Sequence, residues 1–556
     1  MVTLHSYILR ELLKSFGLAL LALSALFTMG GGLYDVMKVE GITTGDIFAV
    51  LPMLLPVVIT LTMPVAALFA ATITYGRLAA DNEFVAARAA GINIHRLFLS
   101  AILLSLFVTL FTLVSVNLVI PGFMKSIEMY AKTNLRDLAF KRLAQGGYIQ
   151  YAEPGQDRYT LTAQEVLNVP EKQLVAKGFE APGRHIDYFW VERPTFLLAD
   201  KHGDLKHFAV AEGGLVQFNT HKGQVKLTLY VKSARIFDGR RVIEPEFQTF
   251  GPYTTDIPFT PKPPMLDPQT LHRWSEAPWE SPRMGQRIEG YLQDVRRLVF
   301  RDALIERLGH GERMTFQDAD GAEYELAAGS AVSAGERLNL LEVTVIKRPG
   351  PRDPDGPQLR FTAPLGKFSV NPEADEARLT LDLQRVEDQT VKEFITRADG
   401  FSTRREKDDI RLENLLAPAD LVKLAQACTP ERVLDHQAVL PSDPELDKKR
   451  LYLWGQADDL LRRIRGVIHF RMSFALSALV TVLMGAALGV IFRGSRMLAA
   501  FGLACIPFAT VAILIAMGKQ MIENESTQYV GSYVIWSGLA LVAMVDGLIV
   551  RLGVRR

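Results

Sequence analysis

Asp81, Glu83 and Arg88 stand close together in an alanine-rich stretch, Tyr75-Gly76-Arg77-Leu78-Ala79-Ala80-Asp81-Asn82-Glu83-Phe84-Val85-Ala86-Ala87-Arg88-Ala89-Ala90-Gly91-Ile92. Two carboxylates with guanidinium groups on either side offer charge-assisted hydrogen bonds to another protein. They do not make a nucleophile with its base. Alanine favours helix, and Gly91 suits a helix stop. The stretch therefore predicts a short helix, either a structural connector or a docking element for a soluble partner with Glu83 as its charged contact. The residues alone support both.

Other chemistry is missing from the line of letters. There is no G-x-x-x-x-G-K-[ST] loop for ATP phosphates. No H-E-x-x-H, G-x-S-x-G or paired-cysteine metal spacing occurs. His207 and His221 are isolated in strand-like sequence, where a histidine is a surface or packing residue. The reading is a chain that is no enzyme and needs no cofactor or metal. Net charge is +1, which gives no support to nucleic-acid binding. The two cysteines, Cys428 and Cys505, fall in a polar and an apolar region respectively and predict no disulfide framework.

The elements that carry these residues are set by charge-free runs. Ser15–Tyr34, Ile47–Gly76 and Leu97–Met124 contain no Asp, Glu, Lys or Arg, and neither do Met472–Phe492, Met497–Gly518 and Ser526–Val545. Each holds at least 20 residues, and about 20 apolar residues cross a bilayer as a helix. The first run is read as a span rather than a cleaved leader, because it is full length and a second follows at once. The expected class is a membrane α-helical protein with six transmembrane helices, three before and three after a large β-rich insert. Ten basic residues lie in the short loops and termini of one side: Arg10, Lys14, Arg77, Arg88, Arg96, Arg493, Arg496, Arg551, Arg555 and Arg556. The other side's short loops hold Lys38 and Lys519. The positive-inside rule puts both termini in the cytoplasm and the insert outside. Arg462, Arg463, Arg465 and Arg471 oppose that count, but they end a domain too long for the rule. The Arg and Lys residues of Glu445–Phe470 are read as a solvated face at the membrane boundary, with a lipid-headgroup contact as the alternative.

Span two carries Pro52, Pro56 and Pro64, which predicts a bent helix that either packs or moves. Gly485 and Gly489 form a small-residue pair in span four. The nearly charge-free spans argue against an ion-coupled carrier and against an intramembrane protease. If the chain moves a cargo, its energy comes from a partner and the cargo is itself apolar.

The organisation expected is residues 1–124 for spans one to three, with a coupling helix over about 77–91. Residues 125–260 form a β-domain of jellyroll type, and 261–444 an additional α+β module, a candidate second β-jellyroll. Residues 445–556 form a juxtamembrane helix and spans four to six. Alternating runs such as Tyr159-Thr160-Leu161-Thr162 and Gln224–Val231 read as strands, and Arg283–Leu308 as helix. Ala211, Gly214, Asn219, Leu227, Thr228 and Leu229 match Ala363, Gly366, Asn371, Leu379, Thr380 and Leu381 at one ungapped offset of 152. Duplication of a β-module would give this match, and so would shared strand-turn-strand chemistry.

The stretch from Tyr75 to Asn93 resembles the coupling segment of the LptF/LptG family of lipopolysaccharide-export permeases. The resemblance extends through the six runs, Ile120-Pro121-Gly122 and the approach to span four from Arg462 to Val490. It implies a bacterial inner-membrane subunit that is not itself an ATPase. A second permease of the same type would pair with it, and a cytosolic ABC ATPase dimer would power it. The cargo implied is lipopolysaccharide or a related glycolipid, handed to periplasmic jellyroll bridge proteins. By resemblance Glu83 is the acidic contact to the ATPase, with Arg77, Asp81 and Arg88 in the same motif. Lys38 holds a plausible place for a lipid headgroup, although Asp35 is near enough to pair with it. The insert is longer than the family's usual single jellyroll, and Arg283–Pro444 has no counterpart. A membrane-anchored scaffold without transport, or a lipid enzyme, are the competing classes.

Overall fold

The structure is a computed structural model that describes residues 2–32, 44–133, 135–152, 158–179, 186–200, 205–221, 224–237, 242–255, 262–318, 321–334, 337–349, 356–372, 377–397, 402–437, 443–492 and 497–553. Six helices are long and apolar enough to cross a membrane: Leu4–Gly30, Leu55–Ala80, Leu99–Ser126, Pro444–Ile491, Ala499–Glu523 and Gln528–Arg551. Between the third and fourth lies a large region built on two antiparallel sheets. This is the expected three-plus-three membrane architecture with a β-rich insert. The chain divides into two compact units, Met1–His272 with Arg462–Arg556, and Arg273–Leu461.

Within the membrane unit, spans two and four are the most enclosed, and spans one, five and six present mostly outward apolar faces. Spans two and four approach closely because glycine permits it. A Cβ on Gly489 would stand 2.5 Å from the Thr72 carbonyl oxygen, and one on Gly485 would stand 2.7 Å from the Leu68 Cδ1. The obstacle at Gly489 is backbone and cannot rotate away; at Gly485 the two nearest atoms belong to side chains, and the nearest backbone atom, the Leu68 carbonyl oxygen, stands further off at 2.9 Å. Gly489→Ala is therefore expected to lower the melting temperature in detergent more than Gly485→Ala, with overpacking costing about 1–3 kcal/mol. Equal shifts would contradict this packing.

Span two belongs to one unbroken helix, Thr44–Ala80, despite its prolines. The Thr60 hydroxyl donates to the Pro56 carbonyl at 2.6 Å, and Thr62 shares a bond with Ser24 of span one at 3.0 Å. Spans one and three each contain a wider π-helical turn, Thr28–Gly32 and Ser115–Val119. Such turns are uncommon and mark functional positions in helices.

The first sheet follows a lead-in helix, Leu135–Ala144. Its strands are β1 (Ile149–Ala152), β2 (Arg158–Thr162), β3 (Glu165–Leu167), β4 (Asp187–Glu192), β5 (Thr195–Ala199), β6 (Leu205–His221), β7 (Gln224–Phe237), β8 (Val242–Ile243) and β9 (Phe247–Thr255). The long β6–β7 hairpin is its spine. The near half of β6 pairs with β5 and the far half with β4, while β7 carries β8 and β9 on its other edge. Inward residues alternate along the spine, with Ala209, Ala211, Val216, Leu229 and Val231 buried against Leu143 of the lead-in helix.

The second sheet follows a 28-residue helix, Pro282–Gly309. Its strands are β10 (Met314–Gln317), β11 (Glu323–Ala327), β12 (Ser330–Ala334), β13 (Arg337–Arg348), β14 (Gln358–Pro372), β15 (Ala377–Gln384), β16 (Val391–Thr396), β17 (Ser402–Lys407) and β18 (Asp409–Leu416). Phe300, Leu304 and Leu308 from the end of the helix are buried among Phe316, Leu340 and Phe368 of the strands. The start of that helix has a separate core, in which Ile288, Leu292 and Val295 meet Val433, Leu446 and Leu453.

Candidate functional site

The segment between spans two and three was expected as one helix over about 77–91. It is instead the end of span two's helix at Ala80, a turn, and a separate short helix, Glu83–Ala89. Asn82 makes the turn with a left-handed φ of 58°, a conformation that asparagine tolerates better than most residues. Gly91 ends the short helix, also left-handed at φ 76°. The Gly91 amide donates to the Arg88 carbonyl and the Ile92 amide to the Ala87 carbonyl, which closes the last turn.

Phe84 anchors the short helix. Its ring is buried beside Tyr75, 5.9 Å between centroids, and Tyr75 in turn lies 5.3 Å from Phe98. Tyr75 is wholly buried. Its hydroxyl donates to the Leu97 carbonyl at 2.7 Å and accepts from the Ala101 amide at 3.2 Å. One aromatic cluster thus joins the short helix to the end of span two and the start of span three. Phe84→Ala removes the anchor at a cost of about 3 kcal/mol, by the usual loss for a buried phenylalanine. Faster amide exchange across Asp81–Ile92, with the span amides unchanged, is the expected outcome. Uniform loosening of the whole membrane unit would contradict a local anchor.

The four motif residues divide in two. Arg77 is ion-paired to Glu11 of span one, and Glu11 also meets Lys14 at 3.5 Å. Glu83 is half-buried, and its Oε1 accepts from the Tyr7 hydroxyl at 3.2 Å. Asp81 and Arg88 are exposed, along with Val85, Ala86, Ala89 and Ala90. The outward surface is therefore small and smooth, rimmed by an acid and a base, with the Glu83 carboxylate held in place by the N-terminal helix. Tyr7 and Glu11 were not anticipated, since they lie at the head of span one, far along the chain. Lys38 and Asp35 lie outside the described residues.

A second constellation gathers where the β-insert leaves and rejoins the membrane helices. Arg471, at the entry to span four, is buried, with 4% of its surface exposed. It donates to the Asn117 side-chain oxygen at 3.2 Å, the Pro264 carbonyl at 3.1 Å and the Leu266 carbonyl at 2.7 Å. Asn117 sits in the π-helical turn of span three. One guanidinium thus ties spans three and four to the strap that follows the first sheet. Beside it Lys125 pairs with Asp267 at 2.7 Å, and Asp267 also accepts from the Thr270 amide at 2.8 Å. Burial works against the Asp267 carboxylate, but Lys125 and Thr270 prevail and hold it at about 2. Because the folded value lies below the ordinary one, its contribution is complete above the normal carboxylate range and is lost only as pH falls towards 2.

These two sites occupy a protein whose sequence matches a known family nearly end to end. The family described as lipopolysaccharide export system permease LptF/LptG matches residues 6–548. The chain belongs to that family. A search of curated proteins finds no match. As an LptF/LptG-type permease it is a transporter component rather than an ATPase. Among the described residues no group of His, Cys, Asp or Glu is placed to hold a metal ion. Asp546 is a further missed residue. It lies one position beyond the last charge-free run, inside the sixth helix, 5% exposed, and its Oδ1 has no hydrogen-bond partner among the described residues.

Proposed function

We propose that this permease is the non-ATPase subunit of an ATP-driven exporter that lifts lipopolysaccharide or a related glycolipid from the bacterial inner membrane. A cytosolic ABC ATPase dimer docks on Glu83–Ala89, contacted by Glu83, Asp81 and Arg88, while Arg77 holds span two to span one. A second LptF/LptG-type permease completes the membrane part. Both termini lie in the cytoplasm, the β-insert lies in the periplasm, and the first sheet passes the lipid to bridge proteins of jellyroll type.

The observation that carries this reading is the anchored short helix. A docking element must transmit displacement as well as bind. Phe84 packs on Tyr75, and Tyr75 packs in turn on Phe98, so a push on the helix reaches span two directly and span three through Tyr75. The Gly489–Thr72 approach extends the path to span four, and Arg471 extends it to the strap after the first sheet. The nearly charge-free spans suit an amphiphile whose acyl chains need an apolar route.

Purifying the tagged chain from inner membranes in mild detergent tests the reading. The expected complex contains an ABC ATPase, a second permease and bound lipopolysaccharide. Recovery with periplasmic proteins only, and no ATPase or lipid, would instead favour the scaffold.

A further inference from the structure

We infer that the second β-module is a closed repeat of the first and takes up no lipid, so that the chain offers one β-interior to its cargo and not two. The nature of the cargo rests on the function proposed above; the repeat and its closure do not.

The correspondence runs through the whole module. Both lead-in helices end on a left-handed glycine, Gly146 at φ 75° and Gly311 at φ 76°. Both close with the same two bonds, Gly146 to Leu143 and Gly147 to Arg142 in one, Gly311 to Leu308 and Glu312 to Arg307 in the other. Ile149 pairs with Leu161 as Met314 pairs with Leu326. β4 and β5, broken at left-handed Arg193, correspond to the single strand β13 with left-handed Glu342 at its middle. Val216 faces Leu229 as Phe368 faces Leu381. A bulge interrupts the next ladder between Leu227 and Leu229, and again between Leu379 and Leu381. A Cβ on Gly214 would stand 3.2 Å from Leu229 Cδ1, and one on Gly366 3.3 Å from Leu381 Cδ1. Shared turn chemistry explains one hairpin; it does not reproduce caps, strand order, a bulge and two left-handed residues together.

The copies differ at one seam. In the second module Gln317 of β10 pairs with Leu416 of β18. That pair completes a ring, β13-β11-β10-β18-β15-β14, because β14 pairs back to β13. The equivalent positions in the first module are Ala152 of β1 and Thr254 of β9. Among the described residues β1 pairs only with β2, and β9 only with β7. A barrel of about eight strands is just wide enough for its own side chains. In this six-stranded ring Leu304 and Leu308 share one buried core with Phe316, Leu340 and Phe368 of the strands, and a close-packed core of that kind leaves few voids larger than a water. Residue size does not separate the copies. Ala209 and Val216 are replaced by Phe361 and Phe368, but Phe189 and Phe196 by Leu338 and Val345. Closure of the seam does.

The test uses the assembled complex in inner membranes. The photoreactive residue p-benzoylphenylalanine replaces Val216 or Phe368, the same inward position in the two copies. A lipopolysaccharide adduct at 216, at least tenfold stronger than at 368, is expected. A comparable adduct at 368 would overturn the inference while leaving the transport reading intact. No adduct at either would overturn both. Cysteine pairs give a second measurement in a chain lacking Cys428 and Cys505. Oxidising Gln317→Cys with Leu416→Cys should leave ATP-driven lipid release unchanged, whereas oxidising Ala152→Cys with Thr254→Cys should abolish it until reductant is added. Release lost on locking the 317–416 seam would show that the second module must open to work, contrary to the inference.

Discussion

Glu83→Lys is expected to strip the ATPase from the purified permease while leaving the six helices folded. A hydrogen bond to a charged group is worth about 1.5–3 kcal/mol, so losing one weakens docking between about 10- and 100-fold. Reversing the charge adds repulsion to that loss. Two companion variants separate charge from local structure. Glu83→Gln keeps an acceptor for the Tyr7 hydroxyl but drops the charge, and should also weaken retention. Tyr7→Phe removes only the internal bond of 3.2 Å and keeps the carboxylate. Retention should then persist, since this solvent-exposed bond only orders the carboxylate locally and is not itself a contact to the ATPase. ATPase retained by Glu83→Lys would remove Glu83 from the docking surface.

Arg471→Met should produce the largest loss of stability among single changes at the membrane boundary. The guanidinium is buried and satisfies three oxygens, two of them main-chain carbonyls of the strap. Its removal strands the Pro264 and Leu266 carbonyls, at about 1–3 kcal/mol each. Part of that is offset, because the desolvated charge goes with it. A net loss of about 3 kcal/mol is expected, read as a melting temperature lowered by several degrees in detergent and as protease cleavage near residue 265. Arg471→Lys should fall between, since one ammonium cannot span three diverging acceptors. Lys125→Ala is the contrast. Its side chain is 63% exposed in the pair with Asp267, and surface pairs contribute about 0–1 kcal/mol. A Lys125→Ala loss equal to that of Arg471→Met would contradict the clasp.

The membrane part was legible because charge-free runs of spanning length have few other uses. The segment between spans two and three was legible as helix but not as two pieces. Alanine content argues for continuity, and only the left-handed Asn82 divides it. Tyr7 and Glu11 could not be read as site residues, because their partners Glu83 and Arg77 meet them through the packing of span one on span two. The tie made by Arg471 was not legible in the sequence. A basic residue beside a charge-free run is ordinarily solvated, and the carbonyls that bury this one come from residues 264 and 266, more than 200 positions earlier. One signal was available, the lone Asn117 within span three, whose side chain takes one of the three bonds.

The match at offset 152 caught only the β6–β7 and β14–β15 hairpins. The separation between equivalent residues is 165 at Ile149 and Met314, 149 at Arg193 and Glu342, 152 at Val216 and Phe368, and 162 at Tyr253 and Leu415. Loop lengths change between these blocks, as loops on a surface readily do. No single ungapped offset can follow the strands across such changes. Backbone register survives them, since pairing depends on the pleat and the buried face rather than on the length of the connection.

Reconstitution gives the most direct test of the central claim, that a partner's ATP hydrolysis drives this chain to move an amphiphile. The permease, its paired permease and the ATPase are placed in vesicles containing lipopolysaccharide, and transfer to a soluble bridge protein is followed with and without ATP. The account predicts transfer that requires ATP, fails with Glu83→Lys, and is accompanied by no hydrolysis when the ATPase is left out. Hydrolysis by this chain alone, or transfer that proceeds equally without ATP, would contradict it.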